Sequence, residues 1–215
     1  MDKLRVPALV DMAKDNALQE ISGELDKLER HVIRQAPWKA FPYKPDVSFA
    51  IAYTGDTILL KYFVEEKSIR VGHHTDNSAV HEDSCVELFI AFDDDEAYYN
   101  LEFNCAGTCL LGYGKNRQDR QLIDSRHIRK IRREAVIKSL ADSNDQLITW
   151  ELTMAIPPGV FVYHPISSLK NRQCRVNFYK CGDKLPEPHF LAWKGIAAAV
   201  PDFHLPEFFG HLQFV

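Results

Sequence analysis

From residue 47 onward the chain is written as short runs of β-branched and aromatic residues separated by turn signals, and that rhythm restricts it to a β architecture. Residues 47–53 and 57–64 flank the turn Thr54-Gly55-Asp56 and read as a hairpin. Residues 84–92 and 98–104 repeat the device around the acidic turn Asp93-Asp94-Asp95-Glu96. A turn at Ala106-Gly107 leads into 109–113, and 148–156, 174–180 and 208–215 add further strands. Only one stretch is convincingly helical: Ile21, Leu25, Leu28 and Val32 recur at helical spacing among Glu24, Asp26, Lys27, Glu29 and Arg30. The expected fold is all-β, an antiparallel, jelly-roll-like β-sandwich with one N-terminal amphipathic helix. Residues 1–35 read as an extension whose helix packs on the domain, and residues 36–215 as the sandwich itself.

Composition narrows the function classes. Of 215 residues, 46% are apolar or aromatic, enough for a sizeable core, and a net charge of −4 supplies no field to draw in nucleic acid or an anionic membrane surface. The first ten residues lack the apolar run of a leader, and no apolar stretch is long enough to span a bilayer. As written, the chain is expected in the cytoplasm, or outside it if a leader was removed. Cys85, Cys105, Cys109, Cys174 and Cys181 are odd in number and sit in strand-like segments, so they read as reduced core residues; a hairpin could still bring Cys105 and Cys109 together.

Residues 115–133 carry Arg117, Arg120, Arg126, Arg129, Lys130, Arg132 and Arg133. Asp119 and Asp124 interrupt that run and no aromatic residue is interleaved for base stacking, so Ile123, Ile128 and Ile131 mark it as an arm laid on the sandwich and not a nucleic-acid surface. His73, His74, Asp76 and His81 lie in a polar loop that reads as hydrated surface. The 93–96 turn has the oxygen ligands of a Ca²⁺ site without the spacing of an EF-hand, and reads as a solvated hairpin tip.

The chemistry concentrates in the polar positions of two strands and one loop. Strand alternation places Arg175, Asn177 and Tyr179 on one face of 174–180, and Tyr98, Asn100, Glu102 and Asn104 on one face of 98–104. Planar donors and acceptors beside aromatic rings suit a polyhydroxylated ligand, whose C–H faces pack on rings while its hydroxyl rim takes hydrogen bonds. Trp193, after the turn Pro186-Glu187-Pro188, is the candidate platform, with Tyr179 as a second, and Arg70 a candidate charged clamp. Trp150 reads as a core or half-buried strand residue, and Trp38 as an anchor of the helix-to-strand connection. Two other function classes stay open: a small glycoside hydrolase or sugar-modifying enzyme using Glu87 and Glu102, and a haem- or other ligand-binding sandwich, for which Met154 is the one internal methionine.

The order of several segments resembles the family 9-like carbohydrate-binding modules of the stand-alone Bacteroidetes type, over about residues 36–215. Those segments are Phe49-Ala50-Ile51-Ala52-Tyr53 with Gly55-Asp56, Asp83-Ser84-Cys85-Val86-Glu87-Leu88-Phe89-Ile90, Tyr99-Asn100-Leu101-Glu102-Phe103-Asn104 with Gly107-Thr108, and Pro201-Asp202-Phe203-His204-Leu205-Pro206-Glu207-Phe208-Phe209-Gly210. The resemblance implies a jelly-roll-like sandwich, non-catalytic recognition of a mono- or oligosaccharide such as a plant polysaccharide fragment or chain end, structural Ca²⁺ in some members, and a glycoside hydrolase as partner. It matches Trp193 to a cleft aromatic and Arg70 and Asn177 to polar contacts. The family's paired tryptophans are not reproduced, since no Trp lies between Trp38 and Trp150.

Overall fold

Two sheets packed face to face make up the computed structural model, which describes residues 3–13, 15–140 and 147–215. In chain order the described elements are β1 (Leu4–Val6), α1 (Leu18–Leu25), β2 (His31–Val32), β3 (Asp46–Thr54), β4 (Thr57–Glu66), β5 (Cys85–Phe92), β6 (Tyr98–Asn104), β7 (Cys109–Gly114), β8 (Gln121–Leu122), α2 (Ser125–Ile128), β9 (Arg132–Leu140), β10 (Leu147–Ile156), β11 (Gln173–Cys181), β12 (Phe190–Ala192) and β13 (Gly210–Phe214). The larger sheet runs β1-β13-β11-β5-β6-β7-β8, with β12 also paired to β11; the smaller runs β2-β3-β4-β10-β9. Pairing is antiparallel except between β1 and β13. Among the described residues, no helix is long and apolar enough to cross a membrane.

Alternation fixes which residues meet between the sheets. Val86, Leu88, Ile90 and Phe92 of β5 and Val176 and Phe178 of β11 face Phe49, Ile51, Leu60 and Tyr62 of β3 and β4. Phe49 and Phe178 stack across the gap at 3.7 Å between centroids. Lys180 falls on the same inward face as Val176 and Phe178. It is fully buried, and its Nζ lies 2.9 Å from Glu66 and 2.8 Å from His189 Nε2, while Trp150 Nε1 donates to the other Glu66 oxygen at 2.7 Å. A charge that deep is tolerable only when paired and hydrogen-bonded in this way.

Both outer faces are covered, which is why β3, β4 and β5 are almost wholly buried and read as near-continuous apolar runs. On the smaller sheet, Ala50, Ala52 and Ala155 leave a shallow hollow into which Ile21 and Leu25 of α1 descend; burying two such side chains contributes roughly 1.5–3 kcal/mol each. Lys61 pins the helix there: its Nζ bonds Ser22 Oγ at 2.8 Å, Asp26 at 2.7 Å and Glu151 at 2.8 Å. On the larger sheet, residues 182–209 fold back over β5, β6 and β11 and bury a second cluster that includes Phe89, Tyr98, Tyr179, Phe203 and Trp38.

One expectation from sequence is corrected. The helix ends at Leu25, and Val32 lies in strand β2, exposed, because the 3.6-residue spacing continues by chance into a strand edge. The first residues also contribute to both sheets, with β1 pairing β13 and β2 pairing β3. The basic segment is an arm, with Ile123, Ile128 and Ile131 buried in the inter-sheet core.

Candidate functional site

A cavity of about 250 Å³ opens on the outer face of the larger sheet, between the strands and the covering segment. Its floor is built by alternation: Glu87 on β5, Asn100 and Glu102 on β6, Gly112 on β7 and Cys181 at the end of β11 all project to the side opposite the core. Phe190, Phe203 and His204 of the covering segment form one wall. His81, Arg117 and Arg120 come from the flanking connections.

Arg120 organises the floor. Its guanidinium donates to the carbonyls of Tyr98 (2.8 Å) and Gly112 (3.2 Å) and, through Nε, to Asn100 Oδ1 at 2.7 Å. Asn100, with its amide oriented by that contact, donates Nδ2 to Glu102 Oε1 at 2.7 Å. Glycine is required at 112 because a Cβ there would stand 2.7 Å from Asn100 Oδ1 and 3.3 Å from Arg120 Nε. The relay leaves Glu102 Oε2 buried, without a hydrogen-bond partner, on the cavity floor. His81 Nδ1 forms an ion pair with it at 3.6 Å, too long for a hydrogen bond, and the Glu102 side chain raises the His81 pKa. A buried acceptor left unmet costs about 1–3 kcal/mol, so this oxygen is poised for a donor from a ligand.

The other floor carboxyl differs. Glu87 sits directly opposite Glu102 in the β5–β6 register, and burial pushes its pKa well above the usual carboxylate range. The two stand side by side on one floor, whereas the carboxylates of a glycosidase flank the scissile bond.

The wall is aromatic and braced from behind. Phe203 stacks on Tyr179 at 4.2 Å and 10°. Phe190 meets Phe203 edge-on at 6.2 Å, and Trp38 contacts both, at 6.1 Å and 5.9 Å. Burial, reinforced by Arg120, brings His204 down to about 4, so it is a neutral ring whose Nδ1 meets the Tyr98 hydroxyl at 3.0 Å.

Of the seven residues singled out from sequence, Asn100 and Glu102 line this cavity and five do not. Tyr179 is fully buried and supports Phe203 from beneath, its hydroxyl donating to the Phe203 carbonyl at 3.2 Å, so it presents no ring to a ligand. Asn177 is also buried; it bonds Lys194 through both its carbonyl (2.9 Å) and its amide (3.1 Å), tethering the covering segment. Arg175 donates to the carbonyls of Asp95 and Pro206, and Arg70 pairs with Asp83 at 3.2 Å, each away from the cavity. Trp193 packs edge-on against Phe178 (5.7 Å) and Phe49 (6.1 Å), and Lys194 Nζ caps its face at 4.0 Å. Its indole therefore belongs to the core margin. The residues that sequence reading passed over are Phe190, which opens the three-residue strand β12, too short to show a periodicity, Phe203, which lies in a loop, and Arg120, whose signal was the glycine pair Gly112 and Gly114 on the strand beneath it.

The carboxylates of the 93–96 turn do not gather into a calcium site. In the 93–96 turn, Asp93 pairs with Arg172, Asp95 accepts from Tyr113, and Glu96 pairs with Lys115, so their oxygens are engaged separately and do not converge. His73 bonds Glu82 and Asp76 pairs with Arg133, leaving them likewise apart from His81. Met154 is enclosed between the sheets with no exposure, which removes it as an axial ligand for haem. All five cysteines are free and buried.

Comparison with known proteins places this geometry in context. A family model described as carbohydrate-binding family 9 matches residues 17–214. A crystal structure of a candidate carbohydrate-binding protein from Bacteroides uniformis is similar over 100% of this chain and 99% of its own, with 39% identity and a TM-score of 0.90. Two structures of a family 9 carbohydrate-binding module from Caldicellulosiruptor kristjanssonii share the fold. The complex with glucose has 10% identity, a TM-score of 0.58 and coverage of 100% and 96%; the complex with cellotriose has 11%, 0.55, and 99% and 93%. No curated protein matches.

Proposed function

The chain belongs to carbohydrate-binding family 9, and from that premise we propose that it binds a mono- or oligosaccharide, without turning it over, in the cavity on the outer face of the larger sheet. One observation carries the assignment to this cavity: Glu102 Oε2, buried and without a hydrogen bond, its ion-pair partner His81 standing 3.6 Å away, faces a space of about 250 Å³ walled by Phe190 and Phe203. Pockets for drug-sized ligands run to about 300–1,000 Å³, so this one suits a single sugar ring with the remainder of a chain projecting outward. A ring hydroxyl donates to Glu102, and the apolar face of the pyranose lies on the phenylalanine wall. The family neighbours crystallised with glucose and cellotriose support gluco-configured ligands as first candidates. A glycoside hydrolase as working partner is the finer part of the reading, supported by the family resemblance alone.

Calorimetric titration with glucose and cellotriose tests it. Wild type binds at least one; Glu102→Gln removes a charge-assisted hydrogen bond, about 1.5–3 kcal/mol, and weakens binding by roughly 10-fold or more. Affinity unchanged by Glu102→Gln would return the cavity to an unassigned state. Turnover of aryl glycosides abolished by the same substitution would replace binding with hydrolysis.

A further inference from the structure

Beneath the cavity lies a group of side chains that saccharide binding does not require. We infer that Cys85, Glu87 and Cys181 form a site for a borderline-soft divalent cation, with Zn²⁺ the best match, whose fourth coordination position opens toward the cavity. Strand alternation puts Cys85 and Glu87 on the same face of β5, and the register sets Cys181 of β11 directly opposite Cys85. The two sulfurs and a carboxylate oxygen all lie within 4.8 Å of one another, and Cys181 Sγ is 3.1 Å from Glu87 Oε1. A tetrahedral zinc with Zn–S of about 2.3 Å and Zn–O of about 2.0 Å has S···S and S···O edges of roughly 3.8 and 3.5 Å, so ordinary rotamer adjustment closes the set.

Three further observations fit this assignment. The ligands stand on paired strands in the middle of a sheet, which fixes their spacing before any ion arrives. Glu87 and Cys181 line the cavity, which gives an entry path and a solvent-side position like that of three-ligand zinc sites. Glu102, at the register position opposite Glu87, keeps one buried oxygen without a hydrogen bond, an acceptor that a metal-bound water can use. The directly opposed thiols also suggest a disulfide, but both are free, and a divalent cation would stabilise both thiolates by its own charge.

The test uses the full chain, reduced and treated with chelator, titrated with Co²⁺ and then Zn²⁺. The expected result is one equivalent of cobalt with a thiolate-to-metal charge-transfer band in the near ultraviolet, bleached by one equivalent of zinc. Cys85→Ser and Cys181→Ser should each abolish the band, and Glu87→Gln should weaken binding by about 10–100-fold. Cys174→Ala, which alters a thiol in the inter-sheet core, should leave it unchanged. Absence of the band in reduced wild type overturns the site without recourse to any variant, as does a band that survives Cys181→Ser. A thiol count of three that reduction restores to five, with still no band, would assign the pair to a disulfide instead. No sugar enters this measurement, so its failure leaves the saccharide reading standing.

Discussion

Glu102 is held by one oxygen and left open through the other, and that asymmetry depends on neighbours that never touch a ligand. Gly112→Ala places a methyl group against Asn100 Oδ1 and Arg120 Nε. The relay then loses its geometry, and saccharide affinity should fall by about tenfold, the worth of one well-placed hydrogen bond; calorimetry with unchanged affinity would show that the relay does not matter. The two aromatic positions should separate cleanly. Phe203→Ala removes the cavity wall and should cost about 1–3 kcal/mol of binding. Trp193→Ala should leave affinity within twofold and instead lower the melting temperature, because its indole packs on Phe178 and Phe49. The reverse pattern would make Trp193 the platform.

At the scale of elements, α1 is positioned by small residues beneath it and not by its own helical strength, since eight residues form no stable helix alone. Ala52→Leu fills the hollow that receives Ile21 and Leu25 and should destabilise the fold by about 1–3 kcal/mol, with faster amide exchange across Leu18–Leu25; a neutral melt with unaltered exchange would contradict the docking. The strands were legible in the sequence because alternation and turn residues state them locally: the Gly55 turn and the Ser84 and Tyr98 runs appear where expected. Half of the site was equally legible, since the same alternation put Asn100 and Glu102 on one outward face. The rest was not, for a physical reason. The β11 face that carries Arg175, Asn177 and Tyr179 does point outward, but outward here means under residues 182–209, and nothing local in a strand announces that a distant loop will cover it. The same covering supplies Phe190 and Phe203, whose role comes from long-range packing alone.

For the whole molecule, buried titratable groups set a pH profile with opposed limbs. Burial, chiefly, lowers His189 to about 3 and His204 to about 4. Between those values and about 6.5, the unfolded chain binds protons that the native state refuses, so stability falls on acidification, by up to ~1.4 kcal/mol per pH unit for each such group. Glu87, raised by burial, and His81, raised by Glu102, act oppositely: the native state holds their protons more firmly, and stability contributed by them is lost as pH rises through their native values. Thermal melts should therefore show a maximum near pH 6.5, with the acidic limb flattened in His204→Phe. A melting temperature that climbs steadily from pH 5 to 8 would be inconsistent with these assignments.

The most direct test of where the ligand sits is a crystal structure of the protein with cellotriose. The terminal ring should lie against Phe203, with a hydroxyl within hydrogen-bond distance of Glu102 Oε2 and the rest of the chain leading outward past Arg117. Sugar density stacked on Trp193, or anywhere that leaves Glu102 Oε2 without a partner, would contradict the account.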